Sequence, residues 1–263
     1  MATLDDIVSF LDTELRIKEV PDYPGAMNGL QMEGRQAVKQ VAVAVDASLP
    51  VVRKAIESGA NLLIVHHGMF WNGARMVTGA TYEKFKIAME AGLAIYSAHI
   101  PLDIHPVVGN NACLASALEL QEAEPFFEWK GILLGIRGRF EGSLNQLVSR
   151  VGEVLGEDPH VCSAGSAGSA GSAGSAGSGE AGIVGVITGG AGSEVVAVRE
   201  SGIDSFLTGE GPHWSYTEAE ELGMNMIYGG HYLTETGGVK AIADMLSEKF
   251  GLEAGFIDHP SGM

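Results

Sequence analysis

The chain predicts an α/β fold built as two similar α/β halves related by an internal duplication, and two observations carry that prediction. First, Val43 to Gly68 reads strand, turn, helix, Gly59, strand and then His66-His67-Gly68. Val186 to Gly211 repeats that order, placing Gly202 on Gly59 and Gly209-Glu210-Gly211 on the histidine triplet. Second, His99-x-x-x-Asp103 follows the apolar run Leu93–Ser97, just as His231-x-x-x-Glu235 follows Met226–Gly229. Apolar runs of strand length that alternate with helix-period segments are the mark of α/β proteins.

The elements follow in order. Leu4, Ile7, Val8, Leu11 and Leu15 recur at helical spacing, as do Leu144, Leu147, Val148, Val151 and Leu155 in the second half. Each helix is followed by two strand-like runs: Gly29–Met32 and Val41–Val45, then His160–Cys162 and Ile183–Ile187. Helices are expected to begin near Leu49 and Ser193, with buried strands at Leu62–Val65 and Ser205–Thr208 after them. Further helices near Tyr82–Glu90 and Ser215–Glu221 lead into the strands before His99 and His231. The last helices are expected near Asn110–Leu118 and Glu235–Phe250, the latter with Val239, Ile242, Ala243, Leu246 and Phe250 on one stripe. The halves divide near residue 126, giving expected domains 1–126 and 127–263. Strand order and direction are not legible.

Between the first two strands of the second half stand five Ser-Ala-Gly triplets, Ser163 to Gly177, followed by Ser178-Gly179. Such a tract has too little apolar surface to offset its ordering entropy, so a flexible loop at 163–179 is expected. The first half needs only Glu33–Ala37 there.

Composition narrows the function classes. A 46% hydrophobic and 19% charged content suits a globular protein. No apolar run reaches the ~20 residues that span a bilayer. The acidic start Met1-Ala-Thr-Leu-Asp-Asp6 lacks a secretory pattern, so a cytoplasmic location is expected. A net charge of −17 argues against direct nucleic-acid binding, because phosphate affinity comes from Lys and Arg. The two cysteines, Cys113 and Cys162, read as small core residues and exclude a Cys-rich zinc module.

Chemistry concentrates at strand ends. His66 and His67 come directly after Leu62-Leu63-Ile64-Val65, where adjacent imidazoles can flare toward two ions. The i, i+4 spacing of His231 and Glu235 puts both on one helical face. Asp103 sits in a proline-flanked stretch, Ile100-Pro101-Leu102-Asp103-Ile104-His105-Pro106, read as a stiff loop. His66, His67, Asp103, His231 and Glu235 are too many protein ligands for one open ion but suit two, ~3.5–4 Å apart, with a hydrolytic water between them. Imidazole and carboxylate without thiolate suit zinc, manganese, iron, nickel or cobalt. The expected metal site lies between the two halves. His99 is either a sixth ligand or an acid/base, Glu210 is a pocket residue and second proton-shuttle candidate, and Thr208, Asn110 and Trp71 are candidate pocket walls. His105, His160, His213 and His259 read as structural or solvated.

These motifs resemble the Nif-three-like dinuclear metal-centre family, whose bacterial members are often labelled GTP cyclohydrolase I type 2 homologues. The resemblance rests on Leu63-Ile-Val-His-His-Gly-Met-Phe-Trp71, Ser97-Ala-His-Ile-Pro-Leu-Asp103, Gly109-Asn-Asn111, Leu207-Thr-Gly-Glu210 and Gly229-Gly-His-Tyr-Leu-Thr-Glu235. It implies two metal ions on the five positions above, two α/β halves, a small nucleotide-like substrate and homo-oligomers, ring-shaped hexamers in many members. A metal-dependent hydrolase acting by ring opening is the expected activity. A metal-stabilised scaffold or regulator is the alternative, and metal handling a third.

Overall fold

The computed structural model of the chain describes residues 2–71, 73, 75–163 and 179–263. In chain order the elements are α1 (Leu4–Glu14), β1 (Gly29–Met32), β2 (Gln40–Asp46), α2 (Leu49–Glu57), β3 (Leu62–His67), α3 (Gly79–Ala91), β4 (Ala94–Ser97), α4 (Ile100–Asp103), α5 (Asn110–Ala117), β5 (Gln121–Trp129) and β6 (Ile132–Arg139). They continue with α6 (Leu144–Leu155), β7 (His160–Cys162), β8 (Ile183–Val186), α7 (Val195–Glu200), β9 (Ser205–Thr208), α8 (His213–Glu221), β10 (Asn225–Tyr228), α9 (His231–Thr234), α10 (Thr236–Phe250) and β11 (Glu253–Phe256). The expected loop at 163–179 falls almost entirely outside the described residues.

Local chemistry starts the corresponding helices alike. Thr3 and Asp6 form a capping box at α1, each satisfying the other's backbone amide, and Ser143 with Gln146 does the same at α6. Each helix then buries an apolar stripe: Leu4, Ile7 and Leu11 in one, Leu144, Leu147 and Val151 in the other.

The duplication is written into the sheets. In the first, the order is β1-β4-β3-β2-β11; in the second it is β5-β6-β8-β9-β10-β7. Reading β7, β8, β9 and β10 as the counterparts of β1 to β4, both contain the same four-strand order. The senses agree too: β1 runs antiparallel to β4 and β7 antiparallel to β10, while β2-β3-β4 and β8-β9-β10 are parallel. β3 is apolar on both faces, as a parallel strand covered by helices must be. Leu62 and Ile64 face the core of α1 and α10, whereas Leu63 and Val65 face α2 and α3.

Two compact units result, Met1–Gly109 with Thr236–His259 and Asn110–Glu235 with Pro260–Met263. This division differs from the expected one near residue 126, for a packing reason. The α10 stripe Val239, Ile242, Ala243 and Leu246 lies in the core of the first unit, and β11 extends the first sheet beside β2. Conversely, α5 places Leu114 and Ala115 in a core of the second unit with Leu144 and Leu147. Each half thus gives its last helix to the other unit. The hairpin β5–β6 and strand β11 were not anticipated from sequence. Lys130 and Gly131, both at positive φ, turn the hairpin.

Among the described residues no helix is long and apolar enough to cross a membrane. Leu246→Ala should lower stability by about 2–5 kcal/mol, since the side chain is fully buried. Urea unfolding followed by circular dichroism checks this.

Candidate metal centre

In the first unit, β2, β3 and β4 are parallel and end on one edge of the sheet, where Asp46, His66, His67 and His99 stand. His66 is fully buried, and its Nδ1 donates to the Ala98 carbonyl at 3.0 Å. A carbonyl only accepts, so Nδ1 carries a proton, and in the neutral ring the lone pair then sits on Nε2. That Nε2 lies 3.6 Å from Asp103 Oδ1. His67 Nδ1 pairs with Asp46 Oδ1 at 3.0 Å, across the register Asp46↔His67. His99 Nδ1 pairs with Asp22 Oδ1 at 2.8 Å.

Asp22 is itself held by several donors. It accepts from the Asn28 side chain at 2.7 Å, the Ile100 amide at 3.0 Å and the Tyr23 amide at 2.6 Å. Burial alone would raise its pKa, but the hydrogen bonds and charge of His99, with Asn28 and Tyr23, keep it below the ordinary carboxylate value. His66, His67 and His99 each offer one donor atom within 4.8 Å of the others. Asp103 does not lie in a stiff loop as expected. Pro101 sits in the first turn of a short helix, where its missing amide costs no bond, and Asp103 closes that turn with its amide on the His99 carbonyl.

The second unit carries a smaller set. His231 opens α9 after Gly230, whose φ of 87° is the left-handed conformation that favours glycine. Its Nδ1 pairs with Glu210 Oε1 at 2.7 Å, and its Nε2 lies 3.3 Å from Glu235 Oε1, the i, i+4 partner. Burial opposes charge on this ring, but Glu235 and then Glu210 outweigh it and raise the His231 pKa to about 9. An incoming cation at Nε2 therefore has to displace a proton. Glu235 is buried at the end of α9, one residue before α10 rather than within it. The Gly189 backbone packs against its carboxylate, leaving no room for a Cβ. Gly209 is equally confined, because a Cβ there would come 2.6 Å from the His231 Cα.

Thr208 is buried with its hydroxyl on the Gly189 carbonyl, a structural tie, and Asn110 is buried at the start of α5. Trp71 stands edge-on to His99 at 4.5 Å between ring centroids and 5.6 Å from His67. His105 is structural, its Nδ1 accepting from the Val107 and Val108 amides.

Sequence reasoning missed Asp22, Asn28 and Asp46. Asp46 had a signal, as the polar residue ending an apolar strand; Asp22 and Asn28 are loop residues with none. Groups of histidine and carboxylate side chains able to hold a metal are thus present, and the donor chemistry fits a divalent transition ion, with ring orientation enforced by oxygen acceptors. Asp46→Ala should weaken metal binding about 10–100-fold by freeing the His67 ring, as a competition titration against a chromogenic chelator would measure.

The chain is similar to known proteins over nearly its whole length. A GTP cyclohydrolase 1 type 2 homolog of Deinococcus radiodurans is 38% identical, covering 98% of this chain and 94% of its own. One from Pyrococcus abyssi is 40% identical, with 98% and 99% covered. Among solved structures, TTHA1606 from Thermus thermophilus superposes with a TM-score of 0.84 at 37% identity, covering 99% of this chain and all of its own. Reduced HcgD from Methanocaldococcus jannaschii gives 0.82 at 29%, with 98% of each chain covered. The family description Duf34/NIF3 (NGG1p interacting factor 3) matches residues 2–261, and the chain belongs to that family.

Proposed function

We propose that the chain is a dinuclear metal-binding protein and a metal-dependent hydrolase of a small, nucleotide-like substrate. His66, His67, Asp103, His231 and Glu235 are the ligands, and the ions are two divalent cations from among zinc, iron, manganese, nickel and cobalt. The observation that carries this reading is the fastening of each imidazole at Nδ1, by Ala98, Asp46, Asp22 or Glu210, which reserves Nε2 as the donor. When bound, the ions would acidify a water toward neutrality and offset negative charge developing on the substrate.

The chain's own groups do the rest. Asp103 and Glu235, both buried, bring carboxylate charge beside His66 and His231. His99, with Nδ1 committed to Asp22, is the group suited to exchange a proton at Nε2; Glu210 can do so at the carboxylate it shares with His231. The relatives' name, GTP cyclohydrolase 1 type 2 homolog, supports a nucleotide substrate and ring opening at a carbon between two nitrogens. Assembly as a homohexamer and a cytoplasmic location complete the proposal, on the family resemblance and the composition.

A second reading, a metal-stabilised scaffold without turnover, is favoured by the burial of Asp103 and Glu235, whose charges a cation would neutralise. Elemental analysis of freshly purified protein should give two ions per chain, and Glu235→Ala should lose at least one. Metal-loaded protein should turn over GTP, with the variant slower by at least about a hundredfold. Equal rates would remove the enzyme reading. No turnover together with a large fall in Tm on chelation would leave the scaffold.

A further inference from the structure

Beside the histidines of the first unit lies a cavity of about 630 Å³ that no step above uses. Its walls combine two chemistries. Trp71, Phe70 and Phe85 supply aromatic surface, and Lys84 and Arg75 supply positive charge. The volume falls within the range of about 300–1,000 Å³ in which small-molecule sites occur.

The cations are out of character for this protein. In a chain of net charge −17, neither Lys84 nor Arg75 has an ion-pair partner among the described residues. Lys84 is half-buried on α3 and is pushed below the ordinary lysine range, first by burial and then by the neighbouring charge of Arg75. Two like charges held together without a carboxylate form an arrangement that an anion would relieve.

The cavity is also tied to the candidate ligands. The Lys84 Nζ donates to the Ala47 carbonyl at 2.7 Å, while the Ala47 amide donates to the His67 carbonyl at 2.9 Å. One turn therefore carries the lysine and one end of β3. On the other side, the Gln31 side chain joins the Ala26 and Met27 carbonyls to the Met69 amide, fixing the wall next to Gly68. Trp71 belongs to both places, lining the cavity while its ring abuts His99 and His67.

We propose that this cavity is the substrate subsite for a phosphorylated planar heterocycle, whose ring lies against Trp71 and Phe70 while Lys84 and Arg75 hold its phosphate. The proposal rests on the metal-centre reading, which leaves the substrate's anchoring groups unassigned. It places the ring beside His67 and His99 and the phosphate toward α3.

Isothermal titration calorimetry of metal-loaded protein with GTP, GMP, guanosine and inorganic pyrophosphate tests it, with metal content measured on the same samples. GTP and GMP should bind, and guanosine should bind at least about tenfold more weakly, since a charge-assisted contact is worth about that factor or more. Lys84→Gln and Arg75→Gln should each weaken GTP about tenfold, and Trp71→Ala similarly through lost stacking, with the ions retained. Arg75 is exposed, so its substitution reads binding even if Lys84→Gln disturbs the fold. Undetectable GTP binding, guanosine as tight as GTP, or unchanged affinity in the double variant would overturn the subsite. If Glu235→Ala abolished GTP binding while the cation variants left it intact, the phosphate would belong to the metal centre; the subsite would fall and the metal reading would stand. Absence of two ions per chain would instead count against the metal reading.

Discussion

Parallel strands buried on both faces leave one place for polar side chains, the rim where the strands stop. β3 obeys this constraint residue by residue. Leu62 to Val65 are fully excluded from solvent on alternate faces, and the first polar groups, His66 and His67, appear where the ladder ends. β2 ends in Asp46 and β4 is followed by His99 on the same edge, because all three strands run the same way. In the second unit the parallel strands β8, β9 and β10 put Gly189, Glu210 and His231 at the equivalent edge. Sheet direction, more than sequence proximity, gathers each set.

Gathering is not sufficient, since an imidazole that rotates freely is a poor ligand and a poor proton carrier. The acceptors that stop rotation come from different sources: a backbone carbonyl for His66, a neighbouring strand's aspartate for His67, a distant loop for His99, and the loop after the adjacent strand β9 for His231. The duplicated positions His99 and His231 thus both pair Nδ1 with a carboxylate, but from residues that do not correspond. Duplication preserved the scaffold and the His-x-x-x-carboxylate spacing, while the supporting groups diverged.

That divergence explains what could be read from the chain. Strand ends and histidine spacings recur in both halves, so β1 to β4, β7 to β10 and the corresponding helices were legible. Of the two cysteines expected in a core, Cys162 is buried in β7, whereas Cys113 in α5 is only half-buried. The pairing order was not, because neighbouring strands in a parallel sheet are set by crossover connections that leave no local mark. The hairpin β5–β6 escaped notice because five of its first six residues are exposed and it lacks a clean alternation. Asp103 closes a helical turn rather than standing in a loop because proline, although it punctuates loops, is tolerated in a first helical turn. Asp22 and Asn28 act through tertiary contacts alone, for which one sequence has no period or spacing to display.

The crossed ownership of the two terminal helices bears on how the polypeptide matures. The core under β2 and β3 is sealed by Val239, Ile242 and Leu246, which lie far downstream of those strands in the chain. Until they emerge, the early strands present an open apolar face, and β2 lacks its outer neighbour β11. Such long-range closure slows folding relative to a chain whose halves close on themselves. It also makes completion of either unit conditional on the other half's segment, so the early strands stay open to aggregation until the downstream helix has been made.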